Sequence, residues 1–288
     1  MTVSESAQRD HEAARASSAR RSRQPSDFEC LHRDDSLSNF SPQIFDNFGR
    51  RVALFAARSG RCARSWMQRG LPQTCALCAA RSGDKQLCAE CARFLPATRE
   101  ACPVCALPSP GALVCGACLK RPPPYASTIA AWVYAYPVDR LIQALKYGGR
   151  LSLADPFAEA LANAVRDRAD SLPDAIVALP LAVSRQRERG FNQAQEVARR
   201  VSHFTAIPLA SGLARVVDGP PQATLAWNAR ARNVRHAFVA GVRLKGKSIA
   251  IVDDVMTTGA TLAAATRAAL RAGAKRVDAW VVARTPPP

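Results

Sequence analysis

Eight cysteines arranged as four C-x-x-C pairs constrain the fold of this chain more than any other feature. Nine, ten and nine residues separate successive pairs. Each pair directs two thiolates at one tetrahedral ion, so two pairs complete a four-cysteine site with zinc–sulfur distances of about 2.3 Å. A segment of this size builds too small a core to fold without its metal. The sequence therefore predicts two structural zinc sites, with ligands Cys75, Cys78, Cys88, Cys91, Cys102, Cys105, Cys115 and Cys118.

The spacing leaves the metal and the pairing of the ligands open. Iron–sulfur clusters also take sets of four thiolates and are the main competitor of zinc. Consecutive pairs sharing an ion would give two zinc ribbons in tandem, but interleaved pairing is also compatible with the spacing. Metal-bound thiolates are typical of a reducing compartment. The chain also lacks an apolar run of membrane-spanning length and a secretory signal, so a cytoplasmic location is expected.

Beyond residue 120, short apolar runs alternate with helical patterns. Strands are predicted within 127–136, at 175–179, 248–252 and 277–283, and helices at 138–149, 155–169, from 192 and at 261–271. This alternation is typical of an α/β fold with a mostly parallel sheet flanked by helices. The predicted domains are a zinc-ribbon module at 71–120, which ends in the linker "KRPPPY", and an α/β domain at 121–288.

Two further segments precede the cysteine pairs. Residues 1–43 are rich in Ser, Arg, Asp and Ala without a helical or strand period, so a disordered extension is expected. Residues 44–70 carry apolar side chains at helical spacing among arginines and predict a basic amphipathic helix. Such a helix would lie on a membrane surface or a partner protein, or pack on the next domain.

Positive charge is concentrated in the C-terminal part of the chain. The formal net charge is +17, and residues 121–288 carry 23 Lys+Arg against 12 Asp+Glu. This excess favours nucleic acid, phosphorylated metabolites or an acidic membrane surface as partners. Clusters at Arg185–Arg189, Arg230–Arg235 and Arg243–Lys247 would be able to follow a phosphate backbone.

The stretch "IAIVDDVMTTGATL" places two carboxylates directly after a buried strand and before a helix. The carboxyl ends of strands in open α/β sheets are where ligands bind. Backbone N–H groups at the helix start and the hydroxyls of Thr257, Thr258 and Thr261 would surround a phosphate. Asp253 and Asp254 would repel that phosphate unless they bind ribose hydroxyls or a magnesium ion shared with pyrophosphate. The predicted ligand is a ribose 5-phosphate with further phosphates; alternatively, Asp253 merely caps the helix and the threonines fill the loop.

Several stretches resemble one known family. "IAIVDDVMTTGAT" is similar to the 5-phosphoribosyl-1-pyrophosphate (PRPP) loop of type I phosphoribosyltransferases. "LIQALKYGGR", "PLAVSRQRERGFNQAQEVAR" and the spaced pattern from Gln222 to Phe238 resemble the ComF competence family, which includes the GntX-type proteins. The likeness extends over about residues 70–284 and includes a cysteine-rich double zinc ribbon. It implies a type I phosphoribosyltransferase fold preceded by that small module.

The resemblance also implies roles for individual residues. Asp253 and Asp254, the catalytic candidates, would bind ribose hydroxyls, and 257–261 the 5-phosphate. The turn at 179–181 would form the pyrophosphate loop, and Arg185, Arg187 and Arg189, just past it, would clamp diphosphate by forked hydrogen bonds. Lys146 would contact the ligand or only complement a helix C-terminus. The implied PRPP-binding residues are Lys146, Leu179, Pro180, Leu181, Arg185, Arg189, Asp253, Asp254, Val255, Met256, Thr257, Thr258, Gly259, Ala260 and Thr261, and those of a mobile active-site loop are Gln222, Arg230 and Asn233.

Two functions are compatible with these features. The resemblance implies magnesium-dependent PRPP binding by a protein that handles single-stranded DNA in natural transformation, with competence proteins as further partners. Alternatively, the chain is an active phosphoribosyltransferase for an unidentified nitrogenous acceptor in nucleotide salvage, without a role in DNA handling. The aromatic residues near the expected acceptor side would stack on a base or belong to the core. They are Trp132, Tyr134, Tyr136 and Tyr147.

Overall fold

The computed structural model describes residues 73–216 and 237–287. The predicted disordered extension and amphipathic helix at 1–70 lie outside the described residues. So do Gln222, Arg230 and Asn233 of the predicted mobile loop, and the basic cluster Arg230–Arg235. Within the described residues, no helix is long and apolar enough to cross a membrane.

The cysteine pairs build two small ribbons one after the other. In the first ribbon, β1 (Gln73–Thr74) pairs antiparallel with β2 (Arg81–Gly83), and helix α1 (Ala89–Arg93) follows. The second ribbon contains a short 3₁₀ turn and helix α2 (Gly116–Lys120). Both helices begin directly after a cysteine of a pair, so the helix start and the metal knuckle are one structural unit.

The α/β domain is built on a four-stranded, entirely parallel sheet. Its strands are β3 (Thr128–Val133), β4 (Ala175–Ala178), β7 (Ser248–Met256) and β8 (Arg276–Arg284), in the order β3–β8–β7–β4. Their side chains are buried almost without interruption, because parallel sheets are covered on both faces. The α/β fold with a mostly parallel sheet, predicted from the alternating pattern, is confirmed.

Helices cover both faces of the sheet. The apolar residues of α3, α4 and α6 form one core with one face, as Ile142, Phe157 and Val197 illustrate. On the other face, α7 and a two-stranded antiparallel sheet form the second core around Phe238 and Leu262. The elements are α3 (Val138–Tyr147), α4 (Ala154–Arg168), α5 (Val183–Arg189), α6 (Gln193–Thr205), β5 (Leu213–Arg215), β6 (Phe238–Ala240) and α7 (Ala260–Arg271).

Near the carboxylates and the arginines, the structure differs from the sequence-based prediction in two places. The sequence ended strand β7 at Val252, before the carboxylates, but β7 continues to Met256 because it remains paired with β8 through Val255 and Met256. Helix α5 was not predicted at all, since its seven residues are mostly polar and show no apolar period. It ends at Gly190, whose φ of 76° is in the left-handed region that favours glycine.

Candidate functional site

The eight paired cysteines form two clusters that fit zinc. Within each cluster the sulfur atoms lie within 4.8 Å of one another. A tetrahedral ion with zinc–sulfur distances of about 2.3 Å requires sulfur–sulfur separations near 3.8 Å, and the Cys78–Cys88 and Cys105–Cys115 sulfurs are each 3.7 Å apart. The first cluster is Cys75, Cys78, Cys88 and Cys91, and the second is Cys102, Cys105, Cys115 and Cys118. The pairing is therefore consecutive, and two structural zinc sites are the arrangement that these residues support.

A cleft of about 280 Å³ opens at the carboxyl ends of β4 and β7. One side of it, which we call the acidic side, is formed by residues 253–261, from the end of β7 to the start of α7. The other, the basic side, is formed by the turn after β4, helix α5 and the start of α6, residues 179–194. Lys146, at the last turn of α3, closes the cleft between them.

The two carboxylates of the acidic side have different environments. Asp254 is buried, and its Oδ1 lies 2.9 Å from the Lys146 Nζ in an ion pair. Its Oδ2 is also buried and has no hydrogen-bond partner among the described residues. Asp253 accepts the N–H of Asp254 at 2.8 Å. Desolvation at the floor of the cleft, and then the negative charge of Asp254, raise the pKa of Asp253 to about 7. Asp253 is thus close to a protonation change at neutral pH.

Gly259 allows the backbone of the acidic side to turn into α7. Its φ is 78°, and a Cβ at this position would lie 2.6 Å from Met256 Cε and 2.8 Å from the Tyr125 hydroxyl. Both the left-handed conformation and the crowding require glycine. The next N–H, of Ala260, donates to Thr258 Oγ1 at 3.1 Å. The 12-residue helix α7 then begins directly at the cleft, with its positive dipole end at the acidic side.

The basic side presents two of its three closely spaced arginines to the cleft. Arg185 and Arg189 are four residues apart on α5, line the cleft and are half-buried, whereas Arg187 is exposed and does not line it. Helical periodicity explains this division, because residues i and i+4 share a face. Arg189 donates to the Tyr147 hydroxyl at 3.1 Å and lies over its ring, while its buried Nε has no partner among the described residues.

Asn192 fixes the turn of the basic side. Its Nδ2 donates to the Leu179 carbonyl at 3.0 Å, and its Oδ1 accepts the Ala194 N–H at 3.0 Å as the cap of α6. Gln193, next in the chain, is buried at the cleft and its Oε1 has no partner among the described residues. The turn at 179–181 is therefore anchored to the start of α6.

The cleft brings together every described residue of the predicted PRPP-binding set: Lys146, Leu179, Pro180, Leu181, Arg185, Arg189 and 253–261 all line it. Sequence reasoning missed Arg215, at the end of β5, which also lines the cleft and whose positive charge opposes the rise in the Asp253 pKa. Tyr134 and Tyr147 line it too, whereas Trp132 belongs to the core beside Phe157. Arg215 is the last residue of a strand that was not predicted, and no local pattern marks it as a site residue.

Comparison with protein families gives two matches along the chain. Residues 67–119 match the double zinc ribbon domain, and residues 151–287 match the phosphoribosyl transferase domain. The first range contains both cysteine clusters, and the second contains both sides of the cleft, while Lys146 lies just before it.

The chain is also similar to named proteins over most of their length. A protein of Salmonella typhimurium named DNA utilization protein YhgH is 35% identical over 205 residues, which cover 69% of this chain and 90% of that protein. Its Escherichia coli K12 counterpart is 34% identical, over 70% of this chain and 92% of that protein. Competence protein F of Haemophilus influenzae is 32% identical, over 59% of this chain and 78% of that protein.

Proposed function

The chain belongs to the ComF family, whose members join a double zinc ribbon to a phosphoribosyltransferase domain, and we propose that its cleft binds PRPP together with magnesium. We further propose that this binding serves the handling of single-stranded DNA in natural transformation. The relatives named DNA utilization protein and Competence protein F support the DNA role. The geometry of the cleft supports the ligand.

The observation that carries the ligand proposal is the combination of groups around one small cleft. Two carboxylates, the start of a helix with three threonines, and two arginines line it from opposite sides. Three buried polar atoms at its wall have no protein partner in the described part of the chain: Asp254 Oδ2, Arg189 Nε and Gln193 Oε1. Such atoms are costly unless a ligand or water binds them, so their grouping at one cleft indicates a binding site.

Each part of PRPP has a complementary part of the cleft. The carboxylates of Asp253 and Asp254 would accept hydrogen bonds from the ribose hydroxyls. The N–H groups and hydroxyls at the start of α7 would bind the 5-phosphate. Arg185 and Arg189 would bind the diphosphate from the basic side. Lys146, bonded to Asp254, would reduce the repulsion between the carboxylates and the ligand's phosphates.

Magnesium would enter with the diphosphate of the ligand. The acidic side supplies carboxylate oxygens, which Mg²⁺ prefers as ligands, at Asp253 and Asp254. The ion would neutralise charge on the diphosphate. The protein itself would hold the sugar and the diphosphate in position, and Arg185 and Arg189 would stabilise the negative charge of the leaving diphosphate.

A calorimetric titration of PRPP with magnesium into the full chain tests the ligand. The wild type should bind, and replacement of both carboxylates (Asp253→Asn with Asp254→Asn) should weaken binding at least about 100-fold, since two charged hydrogen-bond acceptors are lost. Asp278→Asn is the matched control, because Asp278 is a buried carboxylate bonded to Ser127 and Arg276 and does not line the cleft. Equal affinity in the wild type and the double variant would refute the ligand assignment.

The DNA role is tested by salt dependence. A protein that neutralises several phosphates of a single strand loses affinity steeply as salt rises. Charge removal at Arg243 and Lys247, which lie outside the cleft, should weaken binding of single-stranded DNA and reduce the salt slope while PRPP affinity stays unchanged. DNA binding that is absent, or equally strong at low and high salt, would contradict the proposal.

Phosphoribosyl transfer to a nitrogenous acceptor is the second candidate function, and Tyr134 and Tyr147 at the cleft are the observation that favours it. Aromatic rings beside a phosphoribose site can stack on a base. Incubation with labelled PRPP and a panel of bases, nucleotides and single-stranded DNA distinguishes the candidates. Pyrophosphate release that depends on one acceptor supports transfer, and release with water alone favours a binding role.

A further inference from the structure

A buried arginine outside the cleft connects the phosphate-binding region with the second zinc cluster. Arg284, the last residue of β8, is only 6% exposed. Its Nε donates to the Cys105 carbonyl at 2.8 Å, and its Nη1 donates to the Met256 carbonyl at 2.9 Å and to the Thr257 carbonyl. One side chain therefore binds the backbone of a zinc ligand and the backbone of the acidic side of the cleft.

The second zinc knuckle is fastened to the α/β domain at three successive carbonyls. Thr128, the first residue of β3, donates its N–H to Pro103 at 2.9 Å and its hydroxyl to Val104 at 2.7 Å. Arg284 binds the third carbonyl, of Cys105. The conformation of the loop between Cys102 and Cys105 is thus tied to the ends of two sheet strands, and only the bond from Arg284 continues to the acidic side.

The charge of Arg284 also points to the second zinc site. No carboxylate of the described residues forms an ion pair with it, and an uncompensated buried charge is strongly destabilising. Four thiolates outweigh the charge of a divalent ion, so a filled second site is net negative and lies one hydrogen bond away. A filled site would therefore stabilise the guanidinium that holds Met256 and Thr257.

Packing also connects the second ribbon with the acidic side of the cleft. Tyr125, in the linker that leaves the second ribbon, is buried, and its hydroxyl lies close enough to Gly259 to exclude a Cβ there. Ala106, directly after Cys105, belongs to the same apolar core as Tyr125 and Met256. The backbone of the acidic side is therefore packed against the second ribbon as well as bonded to it.

We propose that Arg284 is a positioning residue that couples the second zinc site to ligand binding at the acidic side of the cleft. A metal-filled second site holds Arg284, and Arg284 fixes the backbone from which the phosphate-binding turn continues. Linkage requires reciprocity, so a ligand in the cleft should also retain zinc in the second site. The proposal depends on the proposed function in one respect, namely that PRPP occupies this cleft.

Within residues 73–216 and 237–287, the first cluster shows no such connection to the cleft. The module around it is fastened to other elements: Thr98 and Val133 donate backbone N–H groups across the junction with β3, and Ser152 donates to Gln86. The Arg168 guanidinium there also binds carbonyls, those of Thr98 and Ala130, but it reaches neither the second cluster nor the cleft. Arg168→Lys is therefore a control for Arg284→Lys, since each variant changes an arginine bonded to two or more backbone carbonyls, Arg168 at an exposed position and Arg284 at a buried one.

The test uses the full chain loaded with two zinc ions and measures zinc transfer to a chromogenic chelator, first without PRPP. Arg284→Lys should release one of its two ions at least about tenfold faster than the wild type does. Arg168→Lys should leave the release rate of that ion unchanged. The Arg284 variant, isolated with both ions, should also bind PRPP about tenfold more weakly. If Arg284→Lys accelerates the release of both ions equally, the variant is generally destabilised and the proposal is overturned. Unchanged release rates together with an unchanged affinity for PRPP would overturn it as well.

A measurement on the wild type alone keeps the proposal testable even if Arg284→Lys does not fold. Saturating PRPP should slow the release of one zinc ion and leave the other unchanged, and equal rates with and without bound PRPP would overturn the coupling. If the wild type does not bind PRPP, the proposed function fails. Whether Arg284 supports the second zinc site is then still decided by the release rates measured without PRPP.

Discussion

The two sides of the cleft carry their charged groups on different kinds of structure. The acidic side continues a central strand, β7, and its carboxylates are at the floor of the cleft with Asp254 buried. The basic side follows a neighbouring strand but carries its charges on long side chains of a seven-residue helix, α5. A rigid, desolvated side is suited to fix a sugar, and a more exposed cationic side is suited to meet a variable, strongly solvated diphosphate.

The largest expected effect on the basic side comes from removing its two inward arginines. Arg185→Ala with Arg189→Ala should weaken binding of inorganic pyrophosphate at least about 100-fold, because each lost charge-assisted contact is worth roughly 1.5–3 kcal/mol. Arg187→Ala is the matched control on the same helix, since Arg187 does not line the cleft. Titration calorimetry of the three proteins measures the difference, and an equal loss in the control would show that only net charge matters.

The ion pair at the boundary between the two sides should have a large effect on folding. Lys146→Met leaves the buried Asp254 without its cation and should lower the free energy of unfolding by about 3 kcal/mol. Adding Asp254→Asn should restore part of that loss, because the uncompensated charge is then removed. Lys85→Met is the control, as Lys85 pairs with Glu159 in an exposed bridge and should change stability very little. Denaturant unfolding of the four proteins checks this, and similar losses in both lysine variants would contradict the account.

The acidic side should also respond to pH near neutrality. Because the pKa of Asp253 is raised to about 7, its protonated form favours the folded protein, so Asp253 stabilises the fold as pH falls from 7 toward 4 and this contribution is lost as pH rises through 7. Affinity for PRPP should change in the opposite direction, because the ionised carboxylate accepts the ribose hydroxyls. Below pH 7 the affinity should fall by up to about tenfold per pH unit, and Asp253→Asn should remove that part of the dependence.

The smallest expected effect is at Tyr147, which is 69% exposed and holds Arg189 by a hydrogen bond and a ring contact. Tyr147→Phe keeps the ring and should leave pyrophosphate affinity nearly unchanged, whereas Tyr147→Ala should weaken it about threefold through the lost cation–π contact. Equal affinities in all three proteins would mean that Tyr147 does not position Arg189.

The sequence predicted the acidic side better than the basic one for a physical reason. The acidic side consists of a strand end, two carboxylates, a glycine and a helix start, which follow one another within 14 residues. The local sequence pattern therefore determines how they are arranged. The sequence also predicted the eight zinc ligands, because the C-x-x-C spacing is itself the geometry of a knuckle. Arg185, Arg187 and Arg189 were identified together, because the helix that directs only Arg185 and Arg189 toward the cleft was not predicted.

Tertiary contacts account for what the sequence did not reveal. Arg284 is the last residue of an apolar strand, and the sequence pattern there indicates an exposed polar residue at the strand end. It is buried instead, because the second ribbon covers it. Arg215 lines the cleft from β5, which pairs with β6 of a later segment. The extension of β7 beyond Val252 depends on its pairing with β8. Each of these features depends on segments far apart in the chain, which no local pattern encodes.

A crossed titration tests the division of the cleft most directly. Ribose 5-phosphate and inorganic pyrophosphate are titrated separately, without magnesium, by calorimetry, into the Asp253→Asn/Asp254→Asn protein and the Arg185→Ala/Arg189→Ala protein. The first variant should lose affinity for ribose 5-phosphate but retain affinity for pyrophosphate, and the second variant should do the reverse. Equal losses of both ligands in both variants, or no loss in either, would contradict the assignment of the sugar phosphate to the acidic side and the diphosphate to the basic side.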